Sequence, residues 1–203
     1  MSFWLPPSHS LWRDQSFVFF WLGRAISLLG TAITSVVLPI LVYRLTASAL
    51  LTSLLATLEV LPYLLFGLFA GEVADRVDRQ RLMVGCDLLN TFLLGSIPAA
   101  GWLHALTVLH IFVVALLSAS AFVWFDAADF GAIPTLVGRE HLVAATSAIA
   151  SMSTVVGIVG PALGGALITT IGSAAGIALS TLLGWFSPLR QRTKIHDLTK
   201  KQT

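Results

Sequence analysis

The chain has 203 residues, of which 56% are hydrophobic and only 11% are charged, and its mean hydropathy is +0.87. A soluble domain carries about twice that charged fraction. A chain of this length could not bury so much apolar surface in one core, so these values exclude a soluble globular protein and predict lipid as the solvent. The net charge of +2 comes from basic residues at the ends of apolar segments, which argues against nucleic-acid binding.

The residues that usually carry enzyme or metal chemistry form no recognisable pattern. Cys86 is the only cysteine, and the five histidines are scattered without metal-ligand spacing. The sequence contains no His-Glu-x-x-His, Gly-x-Ser-x-Gly or P-loop motif. We therefore expect no enzyme activity, no cofactor and no bound metal.

Apolar segments predict an all-α, polytopic bundle of about six spans, each near the ~20 residues that cross hydrocarbon. The sixth span is short, and a polar basic tail follows it. The predicted spans are 17–42, 49–70, 82–103, 107–125, 142–168 and 173–187. On this division, residues 1–16 form an N-terminal segment, 17–187 form one membrane domain and 188–203 form the tail.

The distribution of Lys and Arg predicts the orientation of the bundle. With the N-terminus in the cytoplasm, nearly all basic residues outside the spans lie on that side, and Arg44 alone lies on the other. Both termini, the loop 71–81 and the connector 126–141 are then cytoplasmic. The cytoplasmic basic residues are Arg13, Arg76, Arg79, Arg81, Arg139, Arg190, Arg192, Lys194, Lys200 and Lys201.

Three of the Asp, Glu, Lys and Arg residues fall inside predicted spans, where charge is costly and indicates function. Glu59 lies near the middle of the second span, where desolvation favours its neutral form, so it could exchange a proton or pair with a cationic substrate. The alternative is a protonated Glu59 hydrogen-bonded to a neighbouring helix. Asp87 could carry a proton, but an ion pair with Arg24 or with loop arginines is favoured. Arg24 could instead snorkel to the surface.

The segment "GEVADRVDRQRLM", residues 71–83, concentrates charge between two apolar spans. Gly71 would allow two helix ends to approach closely, and Asp75 could cap a neighbouring helix N-terminus beside Arg76 and Arg79. Such a cluster could act as a latch that breaks when the bundle repacks, or it could merely set topology. Asp126 and Asp129, which close the fourth span, are predicted to form salt bridges with this cluster.

This segment resembles the loop between the second and third helices of the major facilitator superfamily, in a form typical of its drug and siderophore exporters, of the enterobactin or macrolide type. A second stretch, "VGIVGPALGGALI", resembles the bend motif in the fifth helix of the antiporter members. The resemblance covers nearly all of residues 11–170. The residues that match the two motifs are Gly71, Ala74, Asp75, Arg76, Arg79, Gly160, Pro161, Gly164 and Gly165.

The resemblance implies a secondary transporter in the inner or plasma membrane, whose two six-helix halves rock around a central site. This chain would supply the N-terminal half and would perform proton-coupled efflux of a small molecule of the drug or siderophore class. Its expected partners are the substrate, protons, the lipid bilayer and either a second half or another copy. The alternative is a truncated, non-transporting membrane fragment, or a half-subunit that needs a partner chain.

Overall fold

The computed structural model describes residues 15–170, without the side chains of residues 15, 16, 80, 130, 132–141 and 170. This part of the chain is helical throughout, apart from short turns. The predicted sixth span 173–187 and the tail 188–203 lie outside the described residues, as does nearly all of the segment 1–16. The helices are α1 (Gln15–Thr46), α2 (Ala49–Arg76), α3 (Arg79–Trp102) and α4 (Val108–Thr170).

Five stretches of these helices are long and apolar enough to cross a membrane. A stretch of 22 residues already measures about 33 Å, which exceeds the hydrocarbon thickness of ~30 Å. The five stretches are Phe17–Thr46, Ala49–Arg76, Arg81–Trp102, Val108–Asp129 and Leu142–Thr169. They coincide with the first five predicted spans, so the prediction of an all-α transmembrane bundle is confirmed.

The fourth and fifth spans belong to one helical element, α4, which reverses direction. The indole N–H of Trp21 donates to the carbonyl of Ala148 at 3.3 Å, and Arg24, one turn further along α1, pairs with Asp126. Asp126 and Ala148 would lie about 33 Å apart along a straight helix. The chain therefore folds back between Asp129 and Leu142. The connector 126–141, which the sequence predicts as a link between the fourth and fifth spans, has a helical backbone.

Helix α1 contributes to two apolar clusters. Near its C-terminal half, Ile33, Val37 and Leu41 pack with side chains from the other three helices, including Ile97 and Ile168. Near its N-terminus, a second cluster contains Phe17, Phe20, Ala74, Met83, Phe125, Ala145 and Met152.

Two glycines of the fifth span bring its backbone close to α1. A Cβ on Gly160 would overlap with the methyl group of Ala32, and a Cβ on Gly164 would lie 3.2 Å from the carbonyl oxygen of Ile33. Gly165 faces open space among the described residues. A Cβ on Gly71 would likewise have no described atom within 4 Å. The predicted close helix approach at Gly71 is therefore wrong for the part of the chain that the structure describes.

Candidate functional site

A cavity of about 210 Å³ opens between α1, α2, α3 and the first half of α4, near the middle of their spans. Its walls mix hydroxyl, amide and aromatic groups with aliphatic side chains, and Glu59 is the only acidic residue among those that line it. The lining residues are Thr31, Thr34, Ser35, Leu38, Glu59, Tyr63, Asn90, Leu94, Ser118, Ala119 and Phe122. A site of this kind, apolar with a few polar groups, is typical of small-molecule binding.

The α1 wall of this cavity follows from helical spacing. Thr31, Thr34, Ser35 and Leu38 recur at three- and four-residue intervals, which places them on one face of α1. Each hydroxyl donates to a carbonyl of its own helix, and the Thr34 bond to Gly30 measures 2.9 Å. Because the hydroxyl hydrogens are used within the helix, the oxygens remain available as acceptors.

Glu59 lies on the α2 wall and is partly buried. Among the residues whose side chains are described, none forms a hydrogen bond or an ion pair with its carboxyl group. The alternative drawn from sequence, a Glu59 hydrogen-bonded to a neighbouring helix, therefore has no counterpart in this part of the chain. A carboxyl group left without a protein partner can take up a proton or a cationic group from a ligand.

The α3 and α4 walls are joined by a hydrogen bond in which the hydroxyl of Ser118 donates to Oδ1 of Asn90. This contact was not predicted from the sequence. The bond crosses between two helices at the cavity surface. It therefore fixes the orientation of the Asn90 amide relative to the cavity.

A second polar site lies towards the N-terminal end of α1, where Arg24 pairs with two carboxylates of α4. Its guanidinium contacts Asp129 and lies 3.5 Å from Asp126. Arg24 is only 8% exposed and Asp129 only 1%, whereas the Asp126 side chain retains 30% exposure. The prediction that Arg24 snorkels is wrong, because the two aspartates hold it inside the bundle. Asp126 and Asp129 pair with Arg24, not with the charged loop as predicted, within the described side chains.

Asp87 is also buried, at 7% exposure, and its backbone carbonyl accepts a hydrogen bond of 2.8 Å from Thr91. It does not line the cavity. The two ion pairs that Arg24 forms among the described side chains are with residues of α4, Asp126 and Asp129. The role of Asp87 as a pairing or proton-carrying group stays a prediction.

Most of the charged segment after the second span is helical, so the loop within it is shorter than the predicted loop 71–81. α2 continues to Arg76 and α3 begins at Arg79, so only Val77 and Asp78 are non-helical. Asp75 pairs with Arg79 at 2.7 Å, and its side chain remains 72% exposed. Within the described residues Asp75 caps no helix. Asp78 fills that role for α3, because its carboxylate accepts from the backbone N–H of Arg81 at 3.2 Å.

Arg79 also links this segment to the reversal in α4. Its guanidinium donates to the carbonyl of Gly131, and a Cβ at Gly131 would collide with the Arg79 side chain. The charged segment therefore contacts α4 through the backbone instead of through Asp126 or Asp129. The only sequence signal for this contact was a glycine shortly after the two aspartates.

The sequence of this chain is similar to those of known membrane proteins. A family model described as "Transmembrane secretion effector" matches residues 7–196. The chain is 28% identical over 162 residues to Macrolide efflux protein A of Streptococcus pyogenes. This alignment covers 80% of this chain and 40% of the length of that protein. It is 32% identical over 152 residues to Multidrug efflux pump Tap of Mycolicibacterium fortuitum, covering 70% and 36% respectively. The chain thus spans about two fifths of the length of the curated relatives it matches.

Proposed function

Because this chain belongs to the transmembrane secretion effector family of the major facilitator superfamily, we propose that it forms the N-terminal half of a secondary transporter that exports a small molecule in exchange for protons. The observation that carries the proposal is the position of Glu59. Its carboxyl group lies in a cavity at mid-span and has no protein partner among the described side chains. Protons and cationic substrate groups can therefore compete for it.

The relatives favour an organic drug as substrate over a siderophore. Their names refer to macrolide efflux and to multidrug efflux. A wall that combines Tyr63 and Phe122 with hydroxyl and amide groups suits amphipathic molecules better than strongly charged ones.

A second half, supplied by another chain or another copy, would complete the transport pathway. Helix α2 presents a nearly continuous apolar face, on which Leu64 is 78% and Leu68 is 90% exposed. Lipid or the partner half would cover this face. At its cytoplasmic end, the Asp75 carboxylate is exposed enough to reach a helix of the partner, as the latch motif of Gly71, Asp75, Arg76 and Arg79 implies.

The test is Glu59→Gln in the purified chain, reconstituted into vesicles with an imposed pH gradient. We expect the wild-type chain to move a labelled macrolide when the gradient is present, and the variant to fall to the level of empty vesicles. The matched control is Glu72→Gln, which removes an exposed carboxylate whose partner among the described side chains is Arg76, and it should leave the rate unchanged.

Equal rates for the wild-type chain and Glu59→Gln would contradict the assignment of Glu59. A folded wild-type chain that moves no substrate would instead support the alternative, a half-subunit that requires a partner chain. Co-reconstitution with a separate second half would then restore transport.

A further inference from the structure

The ion-pair cluster of Arg24, Asp126 and Asp129 contains more carboxylates than cations. The Arg24 guanidinium contacts Asp129 and lies 3.5 Å from Asp126, and an arginine side chain stays protonated in proteins. Among the described side chains, no other basic residue forms an ion pair with either aspartate. When both aspartates are ionised, the cluster therefore carries one surplus negative charge.

Part of this charge lies at a position that water does not reach. Asp129 is 1% exposed, and its Oδ1 atom accepts no hydrogen bond from the described residues. An ionised carboxylate buried without hydrogen bonds is costly, and a bound cation or proton relieves that cost. A metal ion needs several oxygen ligands, and no group of three or more His, Cys, Asp or Glu side chains in the described part of the chain could hold one. A proton needs only one carboxylate oxygen.

The neighbouring helices supply no second cation to the cluster from the side chains that the structure describes. Arg79 of α3 reaches the carbonyl of Gly131, just beyond Asp129, but its charge is balanced by Asp75 at 2.7 Å. The titratable groups on α2 and α3 near this end of α4 are Tyr63, Arg79, Cys86 and Asp87. Apart from the arginine, these groups are neutral or negative in every protonation state. The surplus charge is therefore left to a proton.

We propose that Asp126 and Asp129 share one exchangeable proton beside Arg24. On acidification a proton from water binds a carboxylate oxygen of the pair, and the cluster becomes electrically neutral. The proton enters and leaves through Asp126, whose side chain is 30% exposed. In both states Arg24 keeps an ionised partner, so α1 stays attached to α4. Neither aspartate lines the cavity, so this site is independent of the role proposed for Glu59.

The test is infrared spectroscopy of the purified full chain in lipid nanodiscs, with aspartate isotopically labelled at its side-chain carboxyl carbon. A protonated carboxyl group has a C=O stretching band that an ionised carboxylate lacks, and the label separates the aspartate band from that of Glu59. For the wild-type chain we expect a labelled band that grows as the pH falls from about 8 to about 5, a range in which solvated aspartates stay ionised.

The variants test whether the proton is shared. Asp126→Asn and Asp129→Asn should each lose the band in this range, because one guanidinium is then matched by one carboxylate. Arg24→Gln should instead move the onset of the band to higher pH, because no cation remains. Asp75→Asn, at an exposed carboxylate, and Asp87→Asn, at a buried one outside the cluster, should keep the wild-type band. Monodisperse elution and a wild-type circular dichroism spectrum confirm that each variant is folded.

Two results would overturn the inference. If either Asp126→Asn or Asp129→Asn keeps the wild-type band, the two aspartates do not share a proton. If the wild-type chain has no labelled band above about pH 5, or only Asp87→Asn removes it, the cluster holds no exchangeable proton. The proposed role of Glu59 stands in each case, because Glu59 carries no label and is tested by transport.

Discussion

The buried charge cluster at Arg24 leads to an asymmetric prediction about stability. Arg24→Gln leaves the Asp129 carboxylate, 1% exposed, without its guanidinium partner. Removing one member of a buried ion pair in this way typically costs about 3–5 kcal/mol, because the remaining charge is neither hydrated nor paired. We expect a loss of this size in the free energy of unfolding.

Asp129→Asn should cost less, because Arg24 keeps a second partner. Asp126 remains 3.5 Å from the guanidinium and is partly exposed, so the remaining pair is charge-balanced. The expected loss is about 1–2 kcal/mol, the contribution of a charge-assisted hydrogen bond. The double variant should be more stable than the sum of the two single losses predicts, because no unpaired charge is left at the fully buried position.

The measurement is unfolding of the purified chain in mixed micelles by titration with sodium dodecyl sulfate, followed by far-ultraviolet circular dichroism. Arg76→Gln is the matched control, because its partner Glu72 is exposed and such a pair contributes at most about 0.5 kcal/mol. The reasoning would be refuted if Asp129→Asn were as destabilising as Arg24→Gln, or if the losses in the double variant were simply additive.

Two further predictions concern positions where the structure distinguishes similar residues, and the same titration tests both. Gly160→Ala should cost about 1–3 kcal/mol, because the added methyl group would overlap with Ala32 of α1, whereas Gly165→Ala should be neutral or stabilising by up to about 1 kcal/mol. Equal effects at the two glycines would contradict the packing of the fifth span on α1. Asp78→Ala should cost about 1 kcal/mol through loss of the α3 cap, and Asp75→Ala no more than about 0.5 kcal/mol. A larger loss at Asp75 would indicate that the cap assignment is wrong.

The sequence alone was sufficient to determine the membrane class, the first five spans and the family motifs. Hydrophobic length is a local property, since a helix in lipid must satisfy its own backbone hydrogen bonds whatever its neighbours are. Polar residues inside a span, such as Glu59, also stand out without knowledge of the fold. Gly160 of the motif is visible in the sequence, whereas its contact with α1 appears only in the structure.

The tertiary structure alone decided which charged and polar groups meet. Arg24 pairs with Asp126 and Asp129 because α4 folds back and lies beside α1, and no sequence spacing encodes that proximity. The pairing of Ser118 with Asn90 likewise depends on how α3 and α4 face each other. Burial and partner choice arise from contacts between distant segments, whereas span length and hydropathy arise within one segment.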